Sequence, residues 1–364
     1  MRLSPTLSFY IARQFTLWLV AFFAGFSLII IVADTLELLR RSALHPEINF
    51  INVVELASLK LPHTAQDLLP FAVLFGGIMA FWRLTHSNEL VVARAVGVSV
   101  WQFMAPAIFV AIAVGLFKML VLHSIAAATF SRYEQLEAKM LKGQINQSAI
   151  GPSGLWLRQS TSDGHAIIHS LHVSSDLKTL TDVMVLRYGE EQNFLGRIDA
   201  PEAHLLAGAW ELEDASEAPN GRPPQHIGTV RLPTDFTTEK IQESFARPDT
   251  MSFWSLPSFI QQLEKAGFSA VRHRLFFQSL LAAPLLLSAM VIIAATFSLR
   301  PARRGGVGRM IASGVVAGFL LYFMSDIVYA LGSATRIPVL LAAWSPAVVS
   351  TLLGLAMLLH LEDG

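Results

Sequence analysis

The sequence predicts an α+β membrane protein with six transmembrane helices and one water-exposed β domain inserted between the third and fourth helices. Three observations carry that reading. Of 364 residues, 53% are hydrophobic and only 15% are charged, whereas a soluble domain carries about 45–50% and roughly 25%. Six apolar runs reach the roughly 20 residues needed to cross a hydrocarbon core about 30 Å thick. Between the third and fourth runs lies a polar stretch where β-forming residues alternate, punctuated by Gly and Pro.

The first run, residues 15–33, holds no charged side chain. It is too long for a signal-peptide core and lacks a clear small-residue cleavage site, so it reads as a retained helix. The second runs from about 62 to 82 with Asp67 near one end, and the third lies within 95–122 with Lys118 near its far end. The fourth, fifth and sixth are 275–299, 310–330 and 337–361. Each is expected to be helical, because lipid offers no partner for exposed backbone N–H and C=O groups.

The middle segment, about 124–271, is read as the inserted domain, with 1–123 carrying helices one to three and 272–364 helices four to six. Stretches 154–159, 165–173, 179–188, 203–212 and 226–232 are strand-like. Short strands at intervals of about ten residues, broken by turn signals, suggest a sandwich or jelly roll. Residues 130–141 read as a helix leading out of the membrane, and 258–265, closed by Gly267, as one leading back.

Orientation follows from Lys and Arg in short loops. With the N-terminus inside, the cytoplasmic side receives Arg2, Arg13, Arg83, Arg94, Arg300, Arg303, Arg304 and Arg309. The short outside segments hold Arg40, Arg41, Lys60 and Arg336, and Lys118, Arg272 and Arg274 flank the outside domain. Six spans return the C-terminus to the cytoplasm.

Several functions are excluded by what the chain lacks. Net charge is zero, so no global basic field points to nucleic acid. With no Cys, there are no disulfides, thiolate metal sites or thiol nucleophiles. No Gly-Lys pair, and so no phosphate-binding loop, occurs; HExxH and GxSxG are also absent. The eleven His are scattered without ligand spacing. No catalytic residue, metal or cofactor is expected.

Charged residues near the predicted membrane boundary are candidates of another kind. Arg40 and Arg41 follow the first span within DTLELLRRS; they suit either an anionic head group, which guanidinium forks match, or plain snorkelling. Asp326 lies 17 residues after Arg309, about 25 Å along a helix and near the outer boundary. It fits either a polar cavity or simple hydration, as do Asp67 and Lys118. The short loop 85–99 reads as a small cytoplasmic helix. Ser87 or Asn88 caps it, Glu89 suits its first turn and Gly97 ends it. Leu90, Val91, Val92, Ala95 and Val96 give it an apolar strip. That strip docks either on the chain's own helices or lipid, or on a separate motor protein.

The segments YIARQF, LPHTAQDLLPFAVLFGGIMAFWRLTHSNELVVARAVGVS, GLWLRQ, APEAHLLAGAWEL, FWSLPSFIQQLEKAG, PLLLSAMVIIAATFSLRPARRGGVGRMIASGVVAGFLLYF and AAWSP, in this order and spacing, resemble the permease family LptF/LptG of the lipopolysaccharide export ABC transporter. The likeness covers nearly the whole length, and the ELVVARAVG form is more similar to the LptG branch. It implies a bacterial inner-membrane permease with a periplasmic β-jelly-roll domain, and a substrate, lipopolysaccharide, that enters a cavity between two permeases. It implies as partners a homologous LptF-like permease, a cytoplasmic LptB-like ATPase dimer that alone hydrolyses ATP, and a one-span LptC-like bridge protein; it implies no nucleic acid. Carried over by position, Ser87, Glu89, Leu90, Val91 and Arg94 become ATPase-coupling residues. Arg40, Arg41 and Asp326 become substrate-binding residues. Trp156, Leu186, Leu205 and Trp210 become lining of the jelly roll, a role open to closed core as well. Asp34 departs from the pattern, since some relatives are basic nearby. Two other readings remain: a non-transporting ABC-type permease that relays ATPase motion, and a stand-alone ion-coupled transporter, which would need charged or unwound midplane sites.

Overall fold

Hydropathy marks the membrane-length helices of this chain, and the computed structural model contains them. It describes residues 5–42, 49–95, 97–137, 139–140, 148–151, 154–161, 164–174, 178–189, 193–219, 221, 223–234, 236–237, 247–265, 269–298 and 307–362. Among the described residues six helical stretches are long and apolar enough to cross a membrane: Pro5–Ser42, Leu69–His86, Val100–Glu137, Val271–Ser298, Ala312–Ser333 and Val339–His360. The arginine cluster at 300–304 and Gly267 lie outside the described residues.

The chain divides into two compact units, 142–251 with 255–273 forming one and the remainder the other. The helical unit starts with α1 (Pro5–Ser42), whose 38 residues make a rod about 57 Å long, far more than a bilayer core requires. Next come α2 (Phe50–Asp67), α3 (Leu69–His86), the short α4 (Glu89–Ala95) and α5 (Val100–Phe117). A π-helical turn (Lys118–Leu122) joins α5 to α6 (His123–Glu137). The expected second span, 62–82, is broken at its start. Pro70 has no N–H and its ring would strike the carbonyl one turn back, so the helix stops at Asp67 and restarts at Leu69. Leu68 bridges the break, its N–H bonding Ala65 O (3.1 Å) and its carbonyl accepting from Ala72 (2.9 Å).

After the strands follow α7 (Leu256–Lys265), α8 (Val271–Ser298), α9 (Val307–Ser333) and α10 (Val339–Glu362). The helical core joins Ile11 and Phe15 of α1, Val73, Leu74, Ile78 and Phe81 of α3, Phe103 and Met104 of α5, and Val291, Ala294 and Ala295 of α8. Helices in lipid gain little from hydrophobic burial against one another and associate where small residues let backbones meet. Gly76 lies so close to α1 that an added Cβ would come within 2.9 Å of the Leu19 backbone, and one at Gly115 within 2.5 Å of Pro284 Cα. Hydroxyls close the end of the α3–α8 pair: Thr85 donates to Ser298 O (3.2 Å) and Ser298 to Ile78 O (3.2 Å). By contrast, α1 and α9 leave large apolar side chains such as Leu28, Ile29, Phe319 and Phe323 more than half exposed.

A seven-stranded antiparallel sheet makes up most of the second unit: β1 (Ser148–Gly151), β2 (Gly154–Thr161), β3 (Gly164–Val173), β4 (Thr179–Tyr188), β5 (Phe194–Leu206), β6 (Ala209–Pro219) and β7 (Gln225–Pro233). Spatial order equals chain order. The single strand expected at 203–212 is instead a hairpin, β5 turning into β6 at Ala207 and Gly208, where Gly208 takes φ +81°. One face is buried and apolar: Leu155 and Leu157, Ala166 and Ile168, Val183 and Val185, Ile198 and Ala200, Trp210 and Leu212. The sheet curls until β2 reaches the end of β7, where buried Gln159 donates to Pro233 O (3.1 Å) and accepts from Thr234 (2.6 Å).

A row of irregularities crosses the sheet. Ser170 pairs with Val183 and His172 with Thr181; Val183 pairs with Ala200 and Thr181 with Glu202; β6 shifts register between Leu212 and Ala215. Buried positions change parity at the same level in four neighbouring strands, from Ser170 to Val173, Val183 to Leu180, Ala200 to Ala203 and Leu212 to Ala215. Asp182 (φ 56°) and Asp214 (φ 52°) sit in this row; pairing skips there between β3, β4, β5 and β6 without a change of register and shifts between β6 and β7, a bulge that bends the strand while keeping one face inward.

Overpacking the α1–α3 contact should be costly. Gly76→Val is expected to destabilise the protein by about 1–3 kcal/mol, whereas Gly25→Ala, with nothing within 4 Å of its added Cβ, should stay within about 0.5 kcal/mol. Thermal unfolding of the detergent-solubilised variants measures both.

Candidate functional site

Two polar clusters stand out, and both are anchored on α1. The first surrounds α4. Ser87 closes α3, its hydroxyl donating to Arg83 O (3.0 Å) and to Glu89 Oε1 (2.9 Å). It therefore serves the end of α3 and the Glu89 carboxylate. Asn88 takes φ 58°, a conformation Asn tolerates, and its carbonyl accepts from Val92 (3.0 Å) to open α4. Tyr10 of α1 donates to Glu89 Oε1 (3.3 Å). Close by, Gln14, with its amide turned to match its neighbours, accepts from Trp18 Nε1 (2.8 Å) and Arg83 Nη1 (3.0 Å).

Gly97, at φ +88°, follows α4 as expected, and Val98 N–H bonds Ala93 O (3.1 Å) in the manner of a Schellman stop. Ser99 and Gln102 then form a capping box that starts α5. The apolar strip divides: Leu90 is buried in the helical core while Val92 is 63% exposed. The side chains of Val91 and Arg94 and all of Val96 lie outside the described residues. Tyr10 was not singled out from sequence. Tyr10 lies 79 positions from Glu89, which no local pattern reveals.

The second cluster lies at the other end of α1, alongside α2 and α6. Glu37 accepts from Arg41 Nε (2.8 Å) and meets Arg40 Nη2 at 3.1 Å. Arg41 Nη1 also approaches Glu137 of α6 at 3.5 Å, and Tyr133 donates to the same carboxylate (3.0 Å). Asp34 is held by Lys60 of α2 at 2.6 Å. The charge that seemed out of place in sequence is thus offset by a cation 26 positions on. Beneath these groups Leu38, Val53, Leu56, Ala57, Phe130 and Tyr133 form an apolar cluster that joins the three helices.

The remaining candidates fall elsewhere. Asp326 is exposed on α9, and among the described residues no ion pair joins it to Arg40 or Arg41. The four sheet residues do not share one face. Leu205 pairs directly with Trp210 on the inward side, where the Trp210 indole N–H is buried without an acceptor among the described residues. Trp156 and Leu186 fall at the alternate positions, beside His169 and Ile167, and so on the opposite face.

Among the described residues Asp34 Oδ2 is buried with no hydrogen-bond donor, which makes Lys60 the charge that compensates it. Lys60→Met should destabilise the protein by about 2 kcal/mol, and adding Asp34→Asn should restore most of the loss. Chemical or thermal unfolding of the single and double variants checks the coupling.

The comparisons with known proteins agree with this architecture. The family described as "Lipopolysaccharide export system permease LptF/LptG" matches residues 9–360. The lipopolysaccharide export system permease protein LptG of Escherichia coli K12 is 24% identical over 308 residues, covering 83% of this chain and 84% of that protein. LptG of Haemophilus influenzae is 24% identical over 297 residues, covering 80% and 81%. A match across nearly the whole length, joined to six helices able to cross a bilayer, makes this a multi-pass inner-membrane protein that belongs to the LptF/LptG family of lipopolysaccharide export permeases.

Proposed function

We propose that the chain is the LptG-like half of an ABC exporter that takes lipopolysaccharide out of the inner membrane and passes it toward a periplasmic bridge. One observation carries the reading. The same continuous helix, α1, holds Glu89 through Tyr10 near its start and presents Arg40 and Arg41 near its end. Tyr10 and Arg41 are separated by about 46 Å of helix. A rod of that length carries a displacement from one face of the membrane to the other.

In this reading the N-terminus, α4 and the C-terminus are cytoplasmic. An LptB-like ATPase dimer seats on α4, reading Ser87, Glu89, Val91, Val92 and Arg94 while Leu90 roots the helix in the bundle. ATP is hydrolysed by that partner, and this chain supplies the path. A homologous LptF-like permease completes the cavity, and an LptC-like protein continues the bridge. Arg40 and Arg41 receive the phosphates of the glycolipid, since a planar guanidinium matches phosphate oxygens with paired N–H groups. Asp326 faces the same cavity from α9. Residues 124–271 form the periplasmic domain, with 1–123 and 272–364 as its membrane anchor. Its inward face, with Leu205 and Trp210, shelters acyl chains that would otherwise cost about 0.8 kcal/mol per exposed CH₂.

The exporter reconstituted in proteoliposomes with its ATPase tests both ends at once. Glu89→Lys should lower ATP-driven glycolipid transfer severalfold by loosening the ATPase. Arg40→Ala/Arg41→Ala should leave the ATPase bound and instead reduce glycolipid crosslinking. Normal transfer in both variants would refute the assignment. Sidedness has its own measurement. The chain has no Cys and Ala207 is exposed at the β5–β6 turn, so Ala207→Cys in intact cells should react with an impermeant maleimide once the outer membrane is opened. Labelling that requires rupture of the inner membrane would reverse the topology.

A further inference from the structure

Arg41 already has partners within its own chain. Its Nε edge is taken by Glu37 at 2.8 Å and its Nη1 by Glu137 at 3.5 Å. Two carboxylates on different helices thus bracket one guanidinium, occupying the donors that a phosphate would use. We infer that Glu37 and Glu137 are positioning residues that stand in for the substrate's phosphate, so that Arg41 binds either the α6 carboxylate or the glycolipid and the exchange unlatches α6 from α1. The inference rests on the reading of Arg40 and Arg41 as phosphate ligands.

The two carboxylates are unequal, and the inequality gives the latch its direction. Glu37 lies one turn from Arg41 on the same helix and its side chain is 37% exposed. It can keep one edge of the guanidinium while another anion takes the remaining donors, so it orients Arg41 without holding any second element. The Glu137 side chain is only 11% exposed. It accepts from Tyr133 at 3.0 Å, and it has given up most of its hydration. Withdrawing a cation from a carboxylate in such a setting is penalised far more than at an open surface. When Arg41 turns to a phosphate, Glu137 regains its hydration most readily by moving outward, and α6 moves with it. The apolar cluster of Leu38, Val53, Leu56, Ala57, Phe130 and Tyr133 holds α1, α2 and α6 together below the charged layer. It acts as the fulcrum, so the polar end opens while the base stays packed.

The test uses the intact exporter in nanodiscs, with bisphosphorylated lipid A and its fully dephosphorylated form as probes. Spin labels are placed at Leu36→Cys on α1 and Ala128→Cys on α6, both exposed, on a background without native Cys. The α1–α6 distance should lengthen with bisphosphorylated lipid A and not with the dephosphorylated form. Glu137→Gln should show the long distance without lipid. It should also bind bisphosphorylated lipid A at least about threefold tighter, the gain expected when a competing ion pair is removed from a half-exposed guanidinium, with binding of the dephosphorylated form unchanged. Glu137→Asp should restore wild-type behaviour. Glu37→Gln should raise phosphate-dependent affinity without moving the distance, which keeps the test open if Glu137→Gln folds poorly. Should Arg41→Ala weaken binding of bisphosphorylated lipid A while Glu137→Gln changes neither distance nor affinity, the latch is wrong and the phosphate site stands. Should Arg41→Ala leave that binding unchanged, the phosphate site falls and the latch with it.

Discussion

Inside a bilayer the main chain has no solvent to bond, and the irregularities of the apolar helices answer to that constraint. Hydroxyls within the apolar helices turn back on carbonyls one turn away, as Thr16 does on Ala12, Ser288 on Pro284 and Thr351 on Ala347. Where the helical ladder is interrupted, a local substitute appears. Leu68 supplies it at the break before Pro70. At the π-helical turn, Leu120 O accepts from the Trp254 indole (3.3 Å) and the Ser124 hydroxyl (3.5 Å). Both interruptions let long helical stretches change direction or pitch without leaving buried backbone groups unmet.

Charge follows a related logic. Three cations, Lys60, Arg40 and Arg41, meet three carboxylates, Asp34, Glu37 and Glu137, across three helices. A neutral cluster of this kind costs little to hold near lipid, whereas unpaired charges would be strongly penalised there. On the proposed reading, an incoming anion would compete there with partners already in place.

What could be read from sequence was what period and composition encode. The six apolar runs, the polar insert, the role of Gly97 as a helix stop and the strands 165–173 and 179–188 all follow from local patterns. The hairpin hidden in 203–212 was missed because Leu205, Leu206, Ala209 and Trp210 read as one continuous β-forming run, and only the positive φ of Gly208 breaks it. Long-range pairs were beyond such reasoning. Nothing in the sequence joins Asp34 to Lys60 or Tyr10 to Glu89. Side-chain parity failed for a related reason. Trp156 and Leu186 are as apolar as Trp210, but strand alternation assigns faces only after register is known, and the row of irregularities resets that alternation partway along four strands.

That row of irregularities also governs how the sheet yields. Ladder hydrogen bonds resist stretching within each half of the sheet, but along the line where buried positions change parity in four strands, cross-strand pairs are skipped and the resistance drops. The sheet then behaves as two stiff plates joined by a crease. Flexing at the crease changes the space enclosed by the curled face while each plate keeps its pairing, with no strand having to detach.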